Sequence, residues 1–154
     1  MTRERAALTS RFAGPEESPG FLLWQVTNAW QRAQRDALRP LGLTHVQFVL
    51  LASASWRAVG DGPLTQRALA EHARTDAMMT SQVIRVLAKR GLVERVRDAN
   101  DARAWRIAPT RAGLTLAERA IAVVEVADLA FFSTLGAARR DFTRALARLA
   151  AAHR

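Results

Sequence analysis

Apolar residues recur at helical spacing along most of the chain, and a two-residue alternation interrupts them in one stretch. Between Phe21 and Leu38, the residues Leu23, Val26, Trp30, Ala33 and Ala37 return at steps of three and four, which lines one side of a helix. Pro40 and Gly42 break it. Thr44 and Gln47 then have capping-box spacing ahead of Val46, Val49, Leu50, Ser53 and Trp56, so a second helix is expected to about Arg57 before Val59-Gly60-Asp61-Gly62-Pro63 ends it. Both helices are apolar and aromatic, without clustered positive charge, the composition of scaffold.

Thr65 can cap a short helix through about His72, with Leu69 and Ala73 inward. Arg74-Thr75-Asp76 separates it from a longer helix capped by Thr75 or Asp76. From Ala77 to Arg90, Met79, Val83 and either Val86 or Leu87 mark a buried stripe, while Met78, Ser81, Gln82, Arg85 and Lys89 share the opposite side. Gly91 supplies a stop, and the pair reads as a helix-turn-helix. Leu92 to Arg97 and Trp105-Arg106-Ile107 alternate apolar with charged groups around a polar loop, predicting a hairpin with Arg95 and Arg97 on a basic face. Thr110 opens a long helical region in which Leu114, Ala117, Ile121, Val124, Ala127 and Phe131 recur, until Leu135-Gly136 interrupts it ahead of Phe142, Leu146 and Leu149. So much apolar surface at both ends exceeds what a lone domain needs, which predicts packing against a second copy.

With 154 residues and 49% hydrophobic content, one compact domain is expected. Lys plus Arg number 23 against 14 acids, a net charge of +9, which favours phosphate or another polyanion as partner. Lys89 is the sole lysine and alanine abounds, so part of the arginine excess reflects a GC-rich, bacterial-type codon usage and placement must carry the argument. With no cysteine, disulfides, thiol switches and cysteine-type zinc sites are excluded, and the cytoplasm is the expected location. Met1 to Pro19 mixes charges and lacks a signal-peptide core or a membrane-spanning run, so residues 1–20 read as a flexible leader and no membrane partner is expected. His45, His72 and His153 are scattered, and neither a phosphate loop nor a nucleophile–base grouping is present. The expectation is therefore no enzyme, no cofactor and no metal site.

Ser81, Gln82 and Arg85 have the donors and acceptors that read base edges, and Arg can fork onto guanine. A merely solvated helix would carry the same residues, but the neighbouring basic hairpin favours DNA. Thr65 and Gln66 stand at a helix start, where free N–H groups hold a phosphate, with Arg67, Arg74 and Thr75 near enough to assist. Arg95, Arg97 and Arg106 are candidates for backbone phosphates, against the alternative that exposed strand charges only discourage edge pairing. Trp24, His45, Phe48 and Trp56 are candidates for lining an apolar effector cavity, against the alternative that they are core.

This order of elements resembles the MarR family of winged-helix transcriptional regulators, over about Phe21 to the C-terminus. The resemblance rests on Leu69-Ala70-Glu71-His72, on Thr80-Ser81-Gln82-Val83-Ile84-Arg85-Val86-Leu87 leading into Arg90-Gly91-Leu92-Val93-Glu94-Arg95, and on Asp98-Ala99-Asn100-Asp101-Ala102-Arg103. Pro109-Thr110-Arg111-Ala112-Gly113 follows where the family has Leu-Thr-x-x-Gly, and Pro109 is a departure at the end of the second strand. The resemblance implies a mainly α winged helix-turn-helix with a β-hairpin wing. Residues 58–109 would bind double-stranded DNA, and the helices of 21–57 and 110–154 would form a homodimer. It makes Ala77 to Arg90, including Thr80 and Lys89, the recognition helix. Arg103 becomes a wing-tip arginine in the minor groove, with Asp101 bracing its loop. It also implies a pocket for a small aromatic or apolar effector where helix one, helix two and the long helix meet. The expected function is a homodimeric regulator, a repressor, on a pseudo-palindromic operator; the alternative is a sequence-indifferent architectural DNA binder.

Overall fold

A computed structural model describes residues 9–153. Its helices are α1 (Pro19–Leu38), α2 (His45–Gly60), α3 (Gln66–Ala73), α4 (Ala77–Lys89), α5 (Arg111–Phe131) and α6 (Arg139–Ala152). The strands are β1 (Leu64–Thr65), β2 (Val93–Arg97) and β3 (Trp105–Pro109), an antiparallel sheet in the order β1-β3-β2. Val93 pairs with Pro109 and Arg97 with Trp105, so the hairpin forms as expected and Pro109 closes its second strand. The β1 strand, too short to show alternation, was not anticipated; it sets Leu64 opposite Ile107.

Helix starts follow the capping chemistry written in the chain. Thr44 Oγ1 accepts from Gln47 N at 3.2 Å while Gln47 Oε1 accepts from Thr44 N at 3.1 Å, a complete capping box. Thr65 caps α3 through Ala68 N, and Thr110 caps α5 through Gly113 N. Asp76, rather than Thr75, caps α4, accepting from Met79 N at 2.8 Å. Ser18 caps α1, which begins at Pro19 behind a short 3-10 turn, Pro15–Glu17. Residues 1–8 of the expected leader lie outside the described residues.

The core gathers around α2. Leu50, Leu51 and Ala54 meet Leu38 and Leu43, then Leu69 of α3, Ile84 and Leu87 of α4, Leu92, Val93 and Ile107 of the hairpin, and Ala117, Ala120 and Val124 of α5. The expected α5 stripe holds, with Ala117 and Val124 buried, and so do Leu50 of α2 and the Leu87 alternative of α4. The rest of the α1, α2 and α4 stripes are turned by about one residue, near 100° on a helix. On α4 the buried residues are Thr80, Ile84 and Leu87, while Met79 is 43% exposed and Val83 only partly buried. On α2 they are Leu50, Leu51, Ala54 and Ser55, which turns Trp56 outward at 74% exposed. On α1, Gln34 and Leu38 are buried and Leu23 and Val26 face out.

The base of the wing and the start of α5 interlock. Thr110 N donates to Leu92 O at 3.0 Å and Thr110 Oγ1 to Gly91 O at 2.6 Å. A Cβ on Gly113 would stand 1.9 Å from Leu92 O, so only glycine lets the helix approach this closely. The obstacle is backbone, which cannot swing aside as a side chain would. Gly113→Ala should therefore destabilise the fold by about 1–3 kcal/mol, the usual cost of overpacking a closed site. Urea unfolding checks this, and a parental midpoint would contradict the contact.

Candidate nucleic-acid interface

Thirteen residues make α4 about 20 Å long, a rod for a major groove about 12 Å wide. Met78, Gln82, Arg85 and Lys89 lie on one exposed face at steps of three and four, as the sequence implied. Ser81 is partly buried beside them, and its Oγ accepts from Arg85 Nη2 at 3.1 Å, which aligns the guanidinium along the helix.

Thr80 is a correction. It is fully buried, its hydroxyl donating to Asp76 O at 2.8 Å and lying 2.7 Å from Thr75 Oγ1, so it locks the start of α4 and cannot reach DNA. Thr65 has its hydroxyl in the α3 cap, and Gln66 Oε1 accepts from Arg95 Nη2 at 3.5 Å. Arg74 is turned elsewhere as well: its guanidinium donates to Ala150 O at 2.6 Å and His153 O at 2.8 Å, at the end of α6.

The wing is stiffened by Asp98, which sequence reasoning did not place in the site, and by Arg106, which was expected among the phosphate contacts and is instead held within the wing. Asp98 is buried and accepts from Asn100 N at 2.7 Å, from Asp101 N at 3.1 Å and from Arg106 Nε. The Asn100 backbone bond, then Arg106, hold its carboxyl below the ordinary carboxylate range. Arg106 also donates to Pro63 O at 2.7 Å, tying the wing to the segment before α3. The aspartate after the basic strand was visible in the sequence, but its partner eight residues on was not. Asp101 accepts from Arg103 N at 2.9 Å, as its expected bracing role requires. Arg97 stacks 4.1 Å from the centre of the Trp105 ring and donates to Ala102 O, so it supports the loop from beneath. Among the described residues the Arg103 side chain has no hydrogen bond or ion pair, and it stands exposed at the wing tip.

The four proposed effector residues do not converge. Trp24 is 68% exposed on α1, Phe48 packs against the core, and His45 stacks edge-on against Trp30 with ring centres 5.0 Å apart. Of the four, Trp56 alone lines a cavity of about 460 Å³ between α2 and α5, with Ser55, Val59, Leu114, Glu118 and Ile121 among the other walls. The sequence signal for these was faint, because neither helix face is marked by anything but ordinary apolar residues.

His45 sits at the junction of α1, α2 and α5, where Asp128 Oδ1 accepts from Trp30 Nε1 at 2.8 Å and Gln34 Nε2 at 2.7 Å. Burial, then the Arg35 charge, lower the His45 pKa against the opposing pull of Asp128. The unfolded chain therefore takes up this proton first, near the ordinary value of about 6.5. The neutral imidazole's stabilisation is complete above that value and is lost as pH falls through it toward the lower folded pKa. Thermal midpoints measured from about pH 7.5 down to 5.5 should fall in the parent and fall less in His45→Gln. Parallel profiles would refute the assignment.

The comparisons with known proteins agree with this geometry. Residues 43–105, spanning α2, the helix-turn-helix and most of the wing, match the MarR family model. Over 124 residues the chain is 44% identical to an uncharacterized HTH-type transcriptional regulator, YdcH of Bacillus subtilis, covering 80% of this chain and 84% of that one. It is 35% identical over 132 residues to the HTH-type transcriptional repressor Rv2887 of Mycobacterium tuberculosis, covering 84% and 91%. The structure of Rv2887 in complex with DNA superposes with a TM-score of 0.66 over 86% of this chain and 97% of that one. CouR from Rhodococcus jostii, bound to p-coumaroyl-CoA, superposes with a TM-score of 0.76 at 26% identity, over 89% and 94%. With its capped reading helix, braced wing and long flanking helices, the chain belongs to the MarR family of winged-helix, DNA-binding transcriptional regulators.

Proposed function

We propose that the protein is a homodimeric, effector-responsive repressor that binds a pseudo-palindromic duplex in the bacterial cytoplasm. One observation carries the DNA reading: Gln82, Arg85 and Lys89 share an open face of α4, and Arg103, unpaired among the described residues, stands on the braced wing beside it. Gln82 and Arg85 read base edges in the major groove, Lys89 and Arg95 neutralise phosphates, and Arg103 senses the width of the minor groove. Repression is supported by the name of Rv2887, a transcriptional repressor solved with DNA.

The homodimer is supported by the exposed apolar residues Leu23, Trp24 and Val26 of α1, Val126 and Leu129 of α5, and Leu149 of α6. By length and composition the stretch Arg111–Ala152 could cross a membrane, its most apolar window being 11% buried. The break at Gly136, with φ 50°, falls inside that stretch, and a second copy covers its apolar face in our reading. Two reading helices then enter major grooves about one helical turn apart.

The cavity between α2 and α5 is our effector site. Rv2887 has been solved with salicylic acid and CouR with p-coumaroyl-CoA, which supports a small aromatic ligand. Because α2 packs against both α5 and the reading head, a ligand wedged between them can favour a dimer with wrongly spaced heads. It releases DNA only by its preference for that arrangement.

Genomic fragments selected by the purified protein supply the operator for the test. Arg85→Ala should lose discrimination between operator and scrambled duplex by about 5- to 150-fold, the worth of one bidentate base contact. Arg103→Ala should weaken binding to both and lower the salt slope by about one. Equal parental affinity for operator and scrambled duplex would point to an architectural binder and overturn the proposal.

A further inference from the structure

Charge and hydrogen-bonding capacity in the α2/α5 cavity specify more than an aromatic ligand. Its walls are Val59, Leu114, Ala117 and Ile121, with the Trp56 ring at an exposed edge, and its volume of about 460 Å³ suits a fused two-ring compound. Among the described lining residues, Ser55 and Glu118 carry polar groups besides the Trp56 indole N–H. Ser55 is 6% exposed, and its Oγ has no hydrogen-bond partner among the described residues, not even a carbonyl of its own helix. Glu118 presents a carboxylate that makes no ion pair among the described residues. No Arg, Lys or His among the described residues lines the cavity. Arg57, next to Trp56 in the chain, is not on the wall, and its Nη1 lies 2.7 Å from Asp61.

Resting on the reading of this cavity as the effector site, we propose that it selects a planar aromatic cation, an arylalkyl ammonium compound, and rejects aromatic carboxylates. Glu118 supplies the counter-charge, the open face of Trp56 attracts the ammonium group through its ring quadrupole, and the apolar walls hold the rings. Ser55 Oγ gains the partner that burial otherwise denies it. An aromatic acid would bring its carboxylate against Glu118 with no cation to answer it. The chain's net charge of +9 acts in the other direction. Salt confines exposed charges to a range of about 8 Å, so the local carboxylate governs.

A matched pair of probes tests this by calorimetric titration of the full chain: 1-naphthylmethylammonium and 1-naphthoate, which share a ring system and differ in charge. The ammonium probe should bind about tenfold tighter or better, as one local charge contact provides. Glu118→Gln should shrink that ratio, Glu118→Lys should reverse it, and Ser55→Ala should weaken binding while keeping the charge preference. A parental thermal midpoint shows that each variant is folded. Equal or tighter naphthoate binding, a ratio indifferent to residue 118, or no binding of either probe would overturn the inference. If operator binding is intact in that event, the DNA-binding proposal stands by itself. If the ammonium probe binds as expected but operator selection fails, the DNA-binding proposal falls instead.

Discussion

One helix, α2, packs into the core on more than one of its sides. Leu50 and Leu51 of α2 are adjacent in the chain and both fully buried, which sends apolar side chains to two sides of the same rod. One side packs on α1 and α5, the other on α3, α4 and β3. A helix committed on both sides cannot tilt relative to one neighbour without disturbing the other, because packed interiors have little free volume. The reading head is thereby coupled to the long terminal helices. The cavity beside Ser55 and Trp56 lies at that joint, between α2 and α5.

The arginines divide by what they already satisfy. Arg106 is held by Asp98 and Pro63 O, Arg97 by Ala102 O and the Trp105 ring, Arg90 by Gly42 O, and Arg74 by the end of α6. These groups stabilise loops and helix ends through charge-assisted hydrogen bonds. Among the described residues Arg103 remains open at the wing, Arg95 reaches only Gln66, and Arg85 touches only Ser81 on its own helix. The formal charge of the chain thus overstates the charge available to phosphate. The first group holds the wing in place, so in the proposed minor-groove role Arg103 would not have to order its loop on binding.

Much of the architecture was legible because its signals are local. The Thr44–Gln47 capping box, the stops at Gly91 and Gly136 and the alternation of the hairpin are chemistry within a few residues, and each stands where the sequence placed it. Face assignments were less secure, because this chain buries small and polar residues. Thr80, Ser55 and Gln34 are buried while Met79 and Trp56 are exposed, the reverse of a hydrophobicity ranking. Thr80 can be buried because its hydroxyl returns to Asp76 O, a bond that periodicity does not reveal. The outer face of α4 survived this error, since Gln82, Arg85 and Lys89 define it independently of which apolar residues oppose them. Of the four expected effector residues, Trp56 alone lines the cavity, because a cavity belongs to two helices that meet only in space. The aromatic side chains that drew attention were serving as core, surface and rim.

The turn between α3 and α4 shows how the reading helix is held at a second point. Arg74 occupies the left-handed conformation, φ 54°, at the end of α3, a position that glycine normally fills and that costs another residue about 1–2 kcal/mol. Its guanidinium reaches Ala150 O and His153 O, carbonyls that the last turn of a helix leaves without partners. The strained residue therefore caps a helix from a distant part of the chain, and the cap offsets the strain. Since α6 buries none of its own residues, whatever it packs against sets its position, and Arg74 passes that position on to the start of α4. A glycine in place of Arg74 would relax the turn and lose that link, so an arginine here joins the orientation of the reading helix to the outer helices by a route that does not pass through the core.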